Sequence, residues 1–537
     1  MKLFCYAFLF LALLACSSSI ATATTASRAT PPVAMQTPDP FPEVIQKALK
    51  RAGRSYKPET FQIPEPFRNL TEEQWRNIKF KYENAPWRLK NLNFDIEPRH
   101  TGFLFPPVKI TIVDDSGTTA LPFSADAFDY GNKALADKAR ETRPGFGGFE
   151  VLFPLHGRNS QDAVVSFNGA GHFRAMGKHS RLGAYARTLA LNTALPAGEE
   201  FAFFNEFWIV MPQPGDTTLV VCALMEAPGM TGAYRFTITP GTSTVMNVEN
   251  HLFLRKGAPW PSKLGIAPLA SMFLHGEAQN GNVNDYRPEV HLSDGLLLRT
   301  SDNAWSWSPL VNPARLAVNT FHMENLRGFG LMQRDNAFDN YQDIDARFDM
   351  APSVWVEPQS EWGKGRIEVI EIPNSEEIHN NIIAFWVPDF ENAKPETTER
   401  TLAFAYTIYW MTPGVTPHSL GRVTATRIVR TPRTETIKFI IDFEGEELRA
   451  LPADTGLTSL VTTPNEAPIT DKQLRKNTAT GGWRLSFSAK IPRQDGVMQS
   501  IISARDGSPR LRFRALLKKG ENLPNPLTEE WVYDLVP

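Results

Sequence analysis

Short apolar runs dominate the chain from about residue 104 onward. They are rich in Val, Ile, Phe, Thr and Tyr and are separated by Gly, Pro, Asn and Asp. Runs of roughly four to eight such residues between turn residues are typical of β-strands. The clearest are "VKITIVDD", "DAVVSFNG", "TTLVVCALM", "AYRFTITPG", "STVMNVENHLFL", "ARLAVNTFHM", "RIEVIEI" and "IIAFWV". The pattern predicts an all-β fold.

Helical periodicity is confined to the region before these runs. Between Phe41 and Ala52 the apolar residues recur at helical spacing, and Gly53 follows as a stop signal. A second helix is expected after Thr71, because Gln74 three residues later completes a capping box. The sequence therefore predicts two short helices ahead of the strands.

The spacing of the strands predicts two β domains. Residues 41–410 exceed a single immunoglobulin-type unit several-fold, so a large β-sandwich is the simplest expectation. A joint rich in Pro and Gly follows at residues 411–420. Residues 421–537 then contain short strands at regular spacing, which favours a smaller immunoglobulin-like β-sandwich. These later runs are "TIKFIIDF", "WRLSFSAKI", "LRFRALLKK" and "EEWVYDL".

The N-terminus has the layout of an export signal. Lys2 precedes an apolar run that ends at Ala15, and a tract rich in Ser, Thr and Ala follows. Ordinary cleavage after Ala23 would give a signal peptide of residues 1–23. The alternative is a lipoprotein signal of residues 1–15, which leaves a lipid anchor on Cys16. Residues 24–40 are expected to be a flexible linker, and no later run reaches the roughly 18 apolar residues of a membrane span.

Charge and cysteine content exclude several classes of protein. There are 56 basic and 58 acidic residues, a net charge of -2, so nucleic acid and acidic membrane surfaces are not expected partners. After processing only Cys222 remains as a free thiol, which excludes an intramolecular disulfide. The 12 Trp, 11 Tyr and 35 Phe suit either an aromatic β core or stacking on sugar rings.

The chemistry that remains is carried by carboxylates and aromatic rings. The chain has no HExxH, paired CxxC, P-loop, dinucleotide-binding glycine pattern or GxSxG, so no metal and no cofactor is expected. Glycoside chemistry needs a carboxyl pair and groups that orient each ring, although the same residues also serve as loop caps and core. Between residues 285 and 386 the candidates are Asp285, Glu289, Asp294, Asp335 and Glu377 with Trp305, Trp307, Tyr341, Trp355 and Trp362.

A set of motifs in this order resembles the glucans biosynthesis protein G/D family, whose members are needed to make osmoregulated periplasmic glucans. The resemblance covers most of the chain from about residue 40. Its motifs are "FNGAGHFRAMG", "TGAYRFTI", "VENHLFLRK", "LGIAPLASMF", "YRPEVHLSDG", "GFGLMQRD", "PSVWVEP", "EWGKG" and "EIPNSEEIHNNIIAFW". It implies a periplasmic protein with a large galactose-mutarotase-like β-sandwich followed by the smaller immunoglobulin-like one, and β-1,2-linked glucan as the ligand.

Some members of this family resemble inverting hydrolases or transglycosylases that use two aspartates. Carried onto this chain, those positions are Leu292 and Asn380, and neither is an acid. An amide cannot deliver a proton, so the expected acid and base are both missing. If the chemistry has moved, the weak candidates are Asp294, Glu377 and His379.

The other groove residues that the resemblance implies are present. They are Tyr286, Arg287, His291, Trp305, Arg334, Tyr341, Trp355, Trp362 and Lys364. Three hypotheses follow. The first is a protein that binds β-glucan without cleaving it. The second is an active β-1,2-glucan hydrolase or transglycosylase with a displaced acid and base. The third is an adaptor whose C-terminal domain docks on a membrane glucan synthase.

Overall fold

The structure, a computed structural model, describes residues 38–56, 63–102, 105–279, 281, 284–389, 401–431, 436–464, 467–491, 511–520 and 526–535. The predicted signal peptide, the lipid-anchor alternative and nearly all of the linker lie outside the described residues. The predicted all-β sandwich fold is confirmed, since strands occupy all of the apolar runs singled out from the sequence. No helix in the described ranges is long and apolar enough to cross a membrane.

The helices are short and mostly precede the strands. The α-helices are α1 Phe41–Ala52, α2 Glu65–Arg68, α3 Glu72–Arg76, α4 Lys133–Thr142, α5 Phe338–Tyr341 and α6 Glu446–Ala450, with 3₁₀ turns at Tyr82–Asn84, Ala125–Ala127 and Phe348–Met350.

The strands of the first half are β1 Lys79–Phe80, β2 Asp95–His100, β3 Lys109–Asp114, β4 Gly117–Ala120, β5 Phe128–Asp129, β6 Phe146–Phe153, β7 Asp162–Asn168, β8 His172–Ala175, β9 Tyr185–Arg187, β10 Ala190–Leu191, β11 Phe203–Val210, β12 Leu219–Glu226, β13 Met230–Thr239, β14 Thr244–Leu254 and β15 Leu264–Ser271.

The strands of the second half are β16 Phe273–His275, β17 Val290–His291, β18 Gly295–Arg299, β19 Trp305–Pro309, β20 Ala317–Glu324, β21 Gly328–Met332, β22 Ser353–Pro358, β23 Lys364–Glu371, β24 Ile382–Pro388, β25 Thr401–Met411, β26 Arg422–Thr431, β27 Thr436–Glu444, β28 Leu457–Thr462, β29 Ile469–Lys476, β30 Trp483–Lys490, β31 Leu511–Lys519 and β32 Glu530–Leu535.

Two large sheets form the main sandwich. A ten-stranded sheet has the order β2-β6-β7-β8-β9-β15-β24-β23-β20, with β10 paired to β15. A fourteen-stranded sheet has the order β28-β31-β32-β19-β18-β21-β22-β25-β14-β13-β12-β11-β3-β4. The core between them is rich in phenylalanine: Phe149 meets Phe207 at 5.1 Å, and Phe167 meets Phe236 at 5.1 Å between ring centroids. The aromatic content of the sequence is thus largely used in packing.

The C-terminal strands share one of these sheets. A separate four-stranded sheet, β26-β27-β30-β29, packs with β31 and β32 around Phe439, Phe487 and Phe513. Strand β32 pairs in parallel with β19, where Ser306 lies opposite Glu530. This hydrophobic core, which we call the second core, also contains Trp305, Trp307 and Trp355 of the main sandwich. The predicted domain boundaries at 411–420 stay a prediction.

Both predicted helices are confirmed. Helix α1 packs through Val44 and Ala48 on the outer face of the fourteen-stranded sheet, where Cys222 is free and buried. At α3 the Thr71 hydroxyl accepts from the Gln74 backbone N–H at 3.2 Å, and the Gln74 side chain accepts from the Thr71 N–H at 2.9 Å. Helix α4 was not expected from the sequence.

Candidate functional site

The segment around strand β17 separates polar from apolar side chains by simple alternation. Glu289, His291 and Ser293 are buried and polar. Val290 and Leu292, one residue out of phase, belong to an apolar cluster with Met272, Tyr341 and Phe348. Because successive side chains of an extended segment point to opposite sides, Leu292 fills the apolar side.

His291 is the centre of a buried hydrogen-bond network. Its Nε2 lies 2.8 Å from Glu289 Oε2, and its Nδ1 lies 2.9 Å from Gln333 Oε1. The Gln333 amide nitrogen is turned toward the Tyr341 hydroxyl at 2.8 Å, so its oxygen accepts from His291 Nδ1. Burial opposes the charge on the imidazole, but the hydrogen bond and charge of Glu289 raise the pKa of His291 above its usual value. Both ring nitrogens of His291 therefore face oxygen acceptors, and this arrangement favours the protonated imidazole.

Four carboxylates lie around this network. Glu277, Glu289 and Asp335 bring oxygens within 4.8 Å of one another. Burial, followed by repulsion from Glu289 and Asp294, raises the pKa of Glu277 to about 8. Burial likewise raises the pKa of Asp294 to about 6, although His291 and the Arg334 guanidinium oppose this shift. We call Glu277, Glu289, Asp294 and Asp335 the acidic cluster.

Two carboxylates of the acidic cluster line a cavity between the main sandwich and the C-terminal strands. Glu277 and Asp294 line it together with Trp307, and residues 423–426 of β26 form the opposite wall. One oxygen of Asp294 accepts from the backbone N–H groups of Arg334 at 2.9 Å and Asp335 at 3.1 Å. Carboxylate oxygens in this arrangement are the ligand type that Ca²⁺ or Mg²⁺ would use.

Arg287 joins three loops on the surface. Its Nε and Nη2 donate to Asp285 at 3.0 and 2.9 Å, and its Nη1 donates to Asp343 at 2.8 Å and Glu377 at 2.7 Å. The hydrogen bonds to Asp285 are the largest cause of a raised pKa of Arg287, despite partial burial. Tyr286 beside it is 76% exposed. Arg287 is thus a positioning residue whose charge is already matched.

Positions 292 and 380, where the family resemblance places aspartates, both lie beside residues 272–273. The Leu292 N–H donates to the Met272 carbonyl at 2.9 Å. Asn381, next to Asn380, accepts from the Phe273 N–H at 2.8 Å and donates to the Phe273 carbonyl at 2.9 Å. Asn380 itself is exposed. The backbone therefore brings both segments to Met272 and Phe273, but the structure has no carboxylate at positions 292 and 380.

Arg334 lies apart from the Arg287 loops. Its Nη1 donates to the Val423 carbonyl at 2.9 Å, its Nη2 donates to Glu529 at 2.9 Å, and its guanidinium lies 3.6 Å from the centre of the Trp307 ring. Burial opposes the charge of Glu529, but Arg334 and His418 outweigh it and lower the pKa of Glu529 to about 2. This ion pair connects the main sandwich to the C-terminal strands.

The predicted aromatic residues are largely buried in cores. Trp305 stacks on Trp355 at 5.4 Å in the second core. Trp362 packs against Trp386, Phe404 and Tyr406, and Tyr341 is fully buried. Lys364 and His379 are exposed. Of the predicted groove residues, the structure brings Tyr286 and Arg287 together with Glu377, whereas His291 and Tyr341 lie with the acidic cluster.

Glu277 is the residue that sequence reasoning missed. It stands in "HGEAQNG", two residues after the end of β16, and nothing in its local sequence distinguishes it from a loop carboxylate. The carboxylates around Glu277 belong to residues 12 to 58 positions further along the chain, namely Glu289, Asp294 and Asp335. The pairing of β16 with β17 and of β18 with β21 brings them together.

Comparison with known proteins identifies the chain's relatives. Residues 40–535 match the family described as periplasmic glucan biosynthesis protein, MdoG. Among solved structures, a Paenibacillus xanthan lyase is similar over 65% of this chain and 33% of its own length, at 6% identity and a TM-score of 0.14. The chain thus spans one third of that lyase, and a likeness this weak carries no argument.

Proposed function

Since the chain belongs to the family of periplasmic glucan biosynthesis proteins and has a periplasmic role in making glucan, we propose that it binds β-1,2-linked glucan in a groove of the large sandwich without cleaving it. The observation that carries the proposal is the state of positions 292 and 380. Leu292 packs into an apolar cluster, and Asn380 is an exposed amide.

Cleavage with inversion needs a proton donor at the leaving oxygen and a base that activates water. General acid or base help is typically worth about 10² to 10⁴ in rate. Neither an alkyl group nor an amide supplies it. A site that keeps its backbone and lacks both carboxylates therefore retains binding and loses turnover.

The loops held by Arg287 provide a surface suited to sugar rings. Each of its partner loops presents an exposed apolar side chain next to the carboxylate that Arg287 binds: Tyr286 is 76% exposed, Ile344 75% and Ile378 66%. A pyranose has apolar faces and a polar rim, so an apolar surface with fixed polar groups between its members supports carbohydrate binding.

The binding proposal is tested by calorimetric titration of the mature protein with linear β-1,2-glucan. Tyr286→Ala should weaken the affinity roughly two- to tenfold, because one ring contact is worth about 0.5–1.5 kcal/mol. Leu89→Ala is the matched control, since Leu89 is also exposed, at 96%, and lies outside these loops. Equal affinities of both variants would remove the Arg287 loops from the binding surface.

Restoring the two carboxylates tests the claim about positions 292 and 380. Leu292→Asp combined with Asn380→Asp should release reducing ends from β-1,2-glucan, whereas Leu292→Asn with Asn380→Asp should not. The asparagine variant controls for putting a polar group into the apolar cluster, and thermal unfolding of both shows whether they fold. Folded double variants with equal rates would contradict the assignment.

A second candidate is hydrolysis or transglycosylation by displaced carboxylates. It is favoured by the raised pKa of Glu277, about 8, which keeps this group protonated at neutral pH as a general acid requires. Against it, inverting pairs are about 6.5–9.5 Å apart, whereas the oxygens of Glu277, Glu289 and Asp335 lie within 4.8 Å of one another. Activity that Glu277→Gln abolishes would establish this candidate instead.

A further inference from the structure

The outer face of the ten-stranded sheet carries a polar group that is separate from the acidic cluster and the Arg287 loops. On β8, Phe173 and Ala175 are fully buried in the main core, and His172 and Arg174 alternate with them. Both polar side chains therefore point away from the core. The sequence motif "FNGAGHFRAMG" contains them, but the proposed glucan surface does not use them.

Neighbouring strands extend this polar group across the sheet. In register, Ser166 of β7 lies opposite Arg174, and Arg187 of β9 lies opposite His172. The ring of Tyr185 lies 4.7 Å from the His172 ring. A hydroxyl, a guanidinium, an imidazole and a phenol thus converge on one stretch of the sheet.

Arg174 differs from the other arginines of this face in its pairing. Arg99 forms a close ion pair with Glu150, and Arg187 donates to Glu199 at 2.7 Å. Arg174 has no hydrogen-bond or ion-pair partner among the described residues, and its Nε is buried. The Ser166 hydroxyl is also buried without a partner in the described part of the chain.

An unpaired guanidinium that is partly withdrawn from water is unfavourable. Burial, followed by repulsion from Arg99, accordingly lowers the pKa of Arg174, and attraction to Glu150 only partly opposes this shift. Burial and the charges of Arg187 and Arg174 lower the pKa of His172 to about 3, so this imidazole is neutral near pH 7. Arg174 is therefore a guanidinium without a direct partner between two ion pairs, Arg99–Glu150 and Arg187–Glu199, and the neutral His172 next to it can form hydrogen bonds.

We propose that Arg174 anchors a subsite for an anionic group, a carboxylate or a phosphate ester carried by the bound carbohydrate, with Ser166, His172 and Tyr185 as hydrogen-bonding partners. A guanidinium fork binds such groups through two parallel hydrogen bonds. The inference rests on the proposed function, because the anionic group would be carried by the bound glucan.

The connection runs through strands β15 and β24. Tyr185 lies opposite Ala270, and Ala270 lies opposite Ile383. Strand spacing of about 4.8 Å puts Tyr185 roughly 10 Å from β24, and β24 begins two residues after Asn380. The pairings thus link the strand next to Arg174 with the start of β24, which follows the loop that contains Glu377.

The test compares phosphate binding by wild type, Arg174→Gln and the control Arg158→Gln, which removes one positive charge from an exposed turn. Inorganic phosphate, glucose 6-phosphate and glucose are titrated into the mature protein and followed by thermal unfolding and calorimetry. Phosphate and glucose 6-phosphate should raise the melting temperature of wild type and of Arg158→Gln, because a ligand that binds only the folded state stabilises it. Arg174→Gln should lose at least nine-tenths of this response, and glucose should give none.

Two further readouts make the proposal falsifiable. Without ligand, Arg174→Gln should melt at or above the wild-type temperature, because it removes an unpaired charge. If Arg174→Gln instead melts below Arg158→Gln, Arg174 has a structural role and the proposal is overturned. Glucose 6-phosphate should bind more tightly than inorganic phosphate, and equal affinities would contradict a sugar-borne group. Neutral β-1,2-glucan is titrated into wild type separately. If it does not bind, the proposed glucan-binding function is overturned, whereas a phosphate response that depends on Arg174 would still support the anionic subsite.

Discussion

At the scale of single residues, position in the fold decides the chemistry of each carboxylate. Glu277 and Glu529 are both partly or fully enclosed, yet their pKa values move in opposite directions, to about 8 and about 2. Glu277 faces Glu289 and Asp294, whereas Glu529 faces Arg334 and His418. The neighbouring charges, and not burial alone, therefore determine the protonation state.

The raised pKa of Glu277 predicts a pH-dependent effect of Glu277→Gln. An unfolded glutamate ionises near pH 4.3, whereas the folded one ionises near 8. The folded state thus holds an extra proton between these values, and wild-type stability falls as the pH rises through this window. Glu277→Gln should match wild type at pH 4.5 and melt about 1–3 °C higher at pH 8.5.

Thermal unfolding at the two pH values checks this prediction. Asp335→Asn is a useful comparison, since it removes another charge of the acidic cluster without removing the group that holds the proton. A difference between Glu277→Gln and wild type that is the same at both pH values would contradict the assigned pKa shift.

At the scale of elements, one ion pair joins segments that are distant in sequence. Arg334 follows β21, Glu529 precedes β32, and the Val423 N–H of β26 donates to Glu529 at 2.8 Å. His418 Nε2 lies 3.0 Å from the same carboxylate. The pair therefore holds the C-terminal strands next to the cavity that Glu277 and Asp294 line.

Glu529→Gln is predicted to destabilise the protein by about 3–5 kcal/mol at pH 7, because it leaves Arg334 buried without a matching charge. Since the folded pKa of Glu529 is lowered to about 2, this contribution is complete above roughly pH 5 and is lost as the pH falls toward 2. Urea unfolding measures it. Glu530→Gln is the control, because Glu530 pairs with Arg514 at 3.2 Å and this arginine is about half exposed. This variant should lose less than about 1 kcal/mol of the free energy of unfolding.

Elements were also the features that the sequence predicted best. The apolar runs became strands, and the Thr71 capping box formed as expected, because period and capping are local properties of a sequence. Helix α4 was missed: its Asn132 cap is an ordinary signal, but the helix buries only Ala139 and so lacks a clear apolar stripe. Sheet order could not be predicted, since pairings such as β19 with β32 join residues more than 200 positions apart.

The candidate site was predictable only in part. The motif "YRPEVHLSDG" located His291 and Arg287, and the resemblance that it carried was confirmed at the level of the family. Their roles depend on distant partners: Arg287 on Asp343 and Glu377, and His291 on Gln333. The tryptophans illustrate the same limit, because a ring that packs in a core and a ring that faces a sugar have the same local sequence pattern.

At the scale of the whole molecule, packing and binding use different residues. The rings of Trp305, Trp355 and Trp362 stabilise the two cores, while the exposed apolar side chains of the Arg287 loops and Arg174 on the outer face of the ten-stranded sheet lie outside both cores. This division agrees with the proposed binding of glucan at the surface.

The central claim is that the protein binds glucan without cleaving it, and one measurement tests it most directly. Purified mature wild type is incubated with linear β-1,2-glucan between pH 5 and 8, and reducing ends and product sizes are followed while calorimetry on the same sample records binding. We predict saturable binding with no reducing ends above the rate without protein and no change in chain length. Reducing ends or new chain lengths that disappear in Glu277→Gln or Asp294→Asn would contradict the account and assign catalysis to the acidic cluster.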